Sequence, residues 1–198
     1  IFSFRDEITL DLQAAKIQTE KGKALNGNLF DIAGGQALKS ISIFGANASG
    51  KSNVIKGIIA CIDMIRSSHT YNEGTIFSVV PFKFDGYDQK PSSFFVRFIL
   101  NEIEYEYSFT MTRTEILTEQ LYYYPKGRRS LVFSRDETKG EDKKNIYEFK
   151  QVIKRPMDVA ANTSRKSLFI SRASQMDRDI AKRVYRFFSE DIVLDYKE

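Results

Sequence analysis

The sequence predicts an α/β fold with an antiparallel β-subdomain, and three stretches carry that prediction. Residues 39–66 hold a short apolar strand (Ile41, Ile43, Phe44), a loop from Gly45 to Ser52, and then apolar residues at helical spacing. Residues 94–111 alternate with a period of two, as paired strands do. From Pro156 onward a helical period returns. The expected organisation is a loop-and-helix core over 1–75, an antiparallel β-subdomain over 76–150 and a helical segment over 151–198.

Composition excludes several classes. The 198 residues are 42% hydrophobic and 28% charged, which suits a globular chain with room for a core. The longest apolar run, Ile58-Ile59-Ala60-Cys61-Ile62, is far short of the ~18 residues a spanning helix needs. No secretory leader pattern opens the chain, so a cytoplasmic location without a membrane partner is expected. The chain opens on Ile1 rather than methionine, and its true beginning is expected upstream. Cys61 is the single cysteine and stands on the apolar side of its helix, the position of an inert buried thiol.

The net charge of +4 is unevenly spread. Residues 1–125 carry 12 Lys and Arg against 14 Asp and Glu, and residues 126–198 carry 18 against 12. The basic residues of the second part, among them Lys126, Arg128, Arg129, Lys143 and Lys144, are interspersed with acids. That pattern favours a solvated surface over a nucleic-acid footprint.

In chain order, Ile8, Leu10 and Leu12 alternate with Thr9 and Asp11 and read as a half-buried strand. Lys16 to Gly35 is polar and punctuated by Gly22, Gly27, Gly34 and Gly35, with Leu29, Phe30 and Ile32 as a short strand. Gly45-Ala46-Asn47-Ala48-Ser49-Gly50-Lys51-Ser52 then follows the apolar strand. Its spacing, G-x-x-x-x-G-K-S, is that of a P-loop, and strand before and helix after are its expected context. Gly45 and Gly50 permit a tight backbone whose N–H groups converge, while the next helix presents its positive end. Lys51 would reach the β- and γ-phosphates, and the Ser52 hydroxyl would ligate Mg²⁺. Val54, Ile55, Ile58, Ile59, Ile62 and Ile65 form the stripe that would dock this helix on a sheet.

The string Ser42 to Asn53 resembles the P-loop of ABC-type ATPases related to SMC and Rad50, with Asn47 and Asn53 sharpening the likeness. More narrowly it resembles the prokaryotic AAA15 group, close to the OLD-family ATPases, many of which serve anti-phage systems. Ser3-Phe4-Arg5-Asp6-Glu7, Val80-Pro81-Phe82-Lys83-Phe84 and Leu121-Tyr122-Tyr123-Tyr124-Pro125-Lys126-Gly127 are similar to further segments of that group. Phe2 departs from it, standing where a basic residue usually precedes the serine.

The resemblance implies the first lobe of an ABC-type head that binds ATP and Mg²⁺. Gly45, Ala46, Asn47, Ala48, Ser49, Gly50, Lys51, Ser52 and Asn53 would line the nucleotide site, with Lys51 as the catalytic cation. It also implies a head-to-head homodimer or higher oligomer, with each P-loop facing the other subunit's signature motif, and an effector such as a nuclease. The chain contains no L-S-x-G signature and no apolar run ending in Asp-Glu. Ser189-Glu190-Asp191 has its acids before the apolar residues. Hydrolysis is therefore expected to need a second lobe, in the same polypeptide or a partner chain.

After the P-loop helix, Ser67 to Gly74 reads as a polar loop carrying His69, a surface residue without a ligand pattern. Phe94, Val96, Phe98 and Leu100, then Ile103, Tyr105, Tyr107, Phe109 and Met111, describe a hairpin that turns at Asn101-Glu102. Strands at 120–124, 131–134 and 146–149 extend it into a meander. Its aromatics have the period of a sheet core rather than of a base-stacking platform. Ser174 and Asp177 suggest a capping box before Ile180, Ala181, Val184, Phe187 and Phe188.

A second functional class stays open: a module binding nucleic acid or a phage protein, with nucleotide as a structural ligand. Arg128, Arg129, Lys143 and Lys144 would carry it. A P-loop GTPase or kinase ranks below both, since no N-K-x-D motif is present.

Overall fold

The computed structural model describes residues 1–15 and 26–195. The first part of the polar stretch expected from Lys16, with Gly22, lies outside them. Its later part contains β1 (Leu29–Ile32) and β2 (Gly35–Leu38), an antiparallel pair. Residues 12–14 run beside β2, with Leu38 N–H donating to the Leu12 carbonyl and Ala14 N–H to that of Gln36. The expected half-buried strand is not found there. Gln13 forms an isolated bridge to Ala37, while Ile8, Leu10 and Leu12 are 52%, 44% and 45% exposed.

The dominant element is a five-stranded antiparallel meander in the order β3 (Ser92–Leu100), β4 (Ile103–Met111), β5 (Ile116–Tyr123), β6 (Ser130–Asp136) and β7 (Tyr147–Phe149). Asn101 and Glu102 both have positive φ, 51° and 61°, as a two-residue hairpin loop that follows the strand twist requires. Ile146, expected to start the last strand, ends a one-turn helix, α2 (Lys143–Ile146), whose first turn Asp142 caps.

Helix α1 (Lys51–Ser67) precedes the sheet in sequence, and α3 (Pro156–Ala161), α4 (Phe169–Gln175) and α5 (Asp179–Arg186) follow it. A π-helical turn, Phe187–Asp191, continues α5. The core forms where these helices meet the apolar sheet face. Phe98 stacks on Tyr105 and Phe187 with centroids 5.4 and 4.7 Å apart, and Phe94 stacks on Phe109 at 4.9 Å. Phe94, Phe98, Tyr105, Tyr107, Phe109 and Tyr123 thus lie in or against the core, as their spacing indicates, whereas Tyr122, Tyr124 and the 63% exposed Phe95 do not belong to it.

The expected capping box is replaced by another arrangement. Ser174 lies inside α4, its hydroxyl donating to the Ser171 carbonyl, and α5 begins only at Asp179 after a turn in which Asp177 has φ 55°. The competing i−3 backbone acceptor takes the hydroxyl that a cap would have used.

Polar groups pin the sheet to the helices. Glu119 on β5 and Arg135 on β6 are cross-strand partners and fully buried. Glu119 accepts from the Tyr107 hydroxyl at 2.8 Å and from the backbone N–H groups of Phe169 and Ile170, so a strand carboxylate caps α4. Arg135 donates to Glu137 and to the Ser167 and Ser164 carbonyls at 2.7, 2.7 and 2.9 Å. Every edge of that guanidinium is engaged in the interior, which makes its burial tolerable.

Candidate nucleotide site

The loop expected to bind phosphate is built as the spacing demands at its glycines. Gly50 precedes α1 with φ 96°, a conformation costly for other residues. A Cβ on Gly45 would lie 2.7 Å from Ser49 Oγ, so a side chain there would force the Ser49 hydroxyl to turn away. Ala48 also takes positive φ, 62°, and Ser49 N–H closes a turn onto the Ala46 carbonyl at 3.2 Å. No side chain caps α1; Asn53 and Val54 donate to the Gly50 carbonyl and start the helix. The first turn therefore offers the positive end of a 17-residue helix to an anion, with Lys51 and Ser52 on it.

Lys51 folds back, its Nζ donating to the Gly45 and Ala46 carbonyls at 2.8 and 2.7 Å. The ammonium thus hangs over the loop that a phosphate would fill, held by acceptors an anion can replace. Ala46, Asn47 and Ser52 are exposed beside it. Among the described residues no group of three or more His, Cys, Asp and Glu could hold a metal. The exposed Ser52 hydroxyl is an oxygen ligand of the kind Mg²⁺ takes; phosphate oxygens and a carboxylate would have to complete such a site.

The context before the loop differs from expectation. Residues 41–44 form no strand, and Ile41, Ile43 and Phe44 are 39%, 40% and 89% exposed. The stripe on α1 is split as well: Ile62 and Ile65 are buried, while Ile55 and Ile58 are 37% and 41% exposed. A strand is a property of a pair, and among the described residues none pairs with 41–44.

The opposite end of α1 is fully engaged. Cys61 is buried, and burial pushes its thiol up to about 12, so it stays protonated and inert as its position suggests. Arg66 donates to the Phe188 and Ile192 carbonyls at 2.7 and 2.6 Å, and the Tyr185 hydroxyl donates to the Arg66 carbonyl at 2.8 Å. His69 is half-buried rather than a free surface residue. Its Nδ1 lies 3.0 Å from Ser171 Oγ, and burial, then the Arg172 charge, lowers its pKa.

In the family that the opening segment resembles, a basic residue before the serine reaches the nucleotide, and Phe2 stands in its place here. The structure brings Ser3 and Phe4 against the P-loop: a Cβ on Gly50 would meet Phe4 and Ser3 Oγ at 3.1 Å each, and Asn53 Nδ2 donates to Ser3 Oγ at 2.8 Å. The segments are some fifty residues apart, so only the serine-phenylalanine pattern at the start could have signalled the contact.

The basic residues named for nucleic acid are partly engaged within the protein. Arg129 pairs with Glu106 at 2.7 Å and lies over the Tyr122 ring, and Lys143 lies 3.5 Å from Glu137. No described helix is long and apolar enough to cross a membrane.

Residues 40–198 match a protein-family model described as "AAA domain, putative AbiEii toxin, Type IV TA system". No curated protein and no solved structure matches the chain.

Proposed function

The chain belongs to this AAA-domain family, a P-loop ATPase type, and on that premise we propose that residues 45–53 bind Mg-ATP as half of an ABC-type active site. The observation that carries the reading is the start of α1: Gly50 in the left-handed region, an uncapped first turn, and Lys51 and Ser52 upon it. Gly45, Ala46, Asn47, Ala48, Ser49 and Gly50 surround the phosphates, Lys51 neutralises the β- and γ-oxygens, and Ser52 ligates Mg²⁺. Catalysis of phosphoryl transfer to water then rests on positioning and charge.

The rest of the site comes from a second lobe, in the same polypeptide or a partner chain. The exposed surface of Ile41, Ile43, Phe44, Ile55 and Ile58 supports this: covering what remains open would add about 0.6–1.2 kcal/mol at each isoleucine, already more than half covered, and more at Phe44, which is 89% exposed. A strand laid beside residues 41–44 would satisfy their backbone and cover that apolar surface together. Two such heads sandwich ATP, and the nucleotide state gates an effector such as a nuclease in anti-phage defence. A family description that names a toxin of a toxin–antitoxin system accords with that role.

Isothermal titration of Mg-ATP tests the reading. Binding by the wild type and its loss in Lys51→Ala are expected. Unaltered binding in that variant, or no binding by the wild type, would refute it.

A further inference from the structure

We infer that β3 is an interface between two copies of this chain: the open edge of the meander pairs antiparallel with its own counterpart about a two-fold axis at Val96, joining two sheets into one. This interface goes beyond the proposed ATP site and needs no nucleotide.

The two edges of the sheet are built differently. β7 is three residues long, and so short an edge offers little to a neighbour. β3 is nine residues long and meets β4 in unbroken register from Ser92↔Met111 to Leu100↔Ile103, with no proline and no bulge. Its one charge, Arg97, is matched by Glu104 at 2.5 Å. Tyr124 N–H donates to the Glu104 carbonyl, so the backbone of Glu104 faces β5 while that of Tyr105, Tyr107 and Phe109 faces β3. Their partners Phe98, Val96 and Phe94 therefore point amides and carbonyls at β4, and Ser93, Phe95, Arg97 and Ile99 point theirs outward. Among the described residues no hydrogen bond reaches those outward groups.

Side-chain cover is incomplete along the same edge. Phe94, Val96 and Leu100 are only half-buried on the core side, and Phe95 on the other side is largely exposed. A further strand would satisfy the backbone and extend both faces at once.

β3 is complementary to itself. With Val96 opposite the second copy's Val96, the outward-pointing residues oppose one another, Phe95 against the second copy's Arg97 and Ser93 against its Ile99, as hydrogen-bonded pairs demand. Arg97 donates through Nε to Glu104 and its side chain is 58% exposed, so the guanidinium face is open to the opposing Phe95 ring. A two-fold axis at Phe95 forfeits that contact, and one at Arg97 opposes the two guanidinium groups.

Sedimentation equilibrium of the full chain without nucleotide tests this. A strand pair is a small interface, so a monomer–dimer equilibrium in the micromolar range is expected. Phe95→Lys, at an exposed position, should weaken it at least about tenfold and leave the melting temperature unchanged. Mild oxidation reads the register: Val96→Cys should give a cross-linked dimer, because opposed residues of a non-hydrogen-bonded pair lie about 4.5 Å apart at Cα, within disulfide range. Ser93→Cys should stay uncross-linked, and the native Cys61 is buried. A wild type that stays monomeric at hundreds of micromolar, undiminished dimerisation by Phe95→Lys, or cross-linking no better in Val96→Cys than in Ser93→Cys would overturn the interface. Dimerisation seen only with Mg-ATP would overturn it too, since that dimer would be the proposed ATP sandwich. A monomer whose Phe95 and Arg97 amides resist hydrogen exchange would do the same, by assigning the edge to another segment of the chain.

Discussion

The two ends of α1 differ in burial and in how their polar groups are engaged. Toward its C-terminus Ala60, Cys61, Ile62, Met64 and Ile65 are buried, and Arg66 is clamped to the π-helical turn. Toward its N-terminus Ile55 and Ile58 face solvent, no side chain caps the helix, and Lys51 bonds to its own loop. One end is complete as a fold. On the function proposed above, the other gains its partners from outside: an anion for the amides and lysine, and apolar cover for the isoleucines.

The largest effect belongs to the complete end. Glu119→Ala leaves Arg135 buried with its cross-strand carboxylate gone and α4 uncapped. A loss of about 3–5 kcal/mol is expected in urea denaturation, with Glu119→Gln losing less. Next comes the comparison within the helix itself. Ile65→Ala should cost about 2–5 kcal/mol, whereas Ile58→Ala, made at an exposed position, should stay within about 0.5 kcal/mol. Equal costs at the two positions would break the contrast.

Gly50→Ala should lower stability by about 1–2 kcal/mol, because its φ of 96° disfavours a Cβ, and the added methyl would crowd Phe4 and Ser3. Weakened Mg-ATP binding should accompany that loss in calorimetry.

The smallest effect is one of pH. His69 has a folded pKa below its ordinary 6.5, so the unfolded chain takes up its proton first as pH falls. Its contribution to stability should therefore decline as pH drops below about 6.5 and level off below the folded pKa. Thermal denaturation of wild type and His69→Asn across pH 5–8 should show that decline in the wild type alone, over a shared background.

What was legible in the sequence follows the same division. The P-loop could be read because its chemistry fixes residue types at fixed offsets, and the β3–β4 hairpin because alternation from Phe94 to Met111 is a local property. The Glu119–Arg135 cluster was missed, since its partners come from β4, β5, β6 and α4 and no local pattern joins them. The strand expected at Ile41 to Phe44 failed for a related reason: apolar residues permit a strand, but a neighbouring backbone makes one. Ser174 shows the reverse case, a local capping pattern overridden when α4 ran through it.

Hydrogen exchange along α1, measured with and without Mg-ATP, tests the central claim most directly. Residues 60–66 should be protected in both conditions, while residues 45–55 exchange quickly alone and gain protection when Mg-ATP is added. Unchanged exchange across 45–55 on adding Mg-ATP, or exchange at 60–66 as fast as at 51–58, would contradict it.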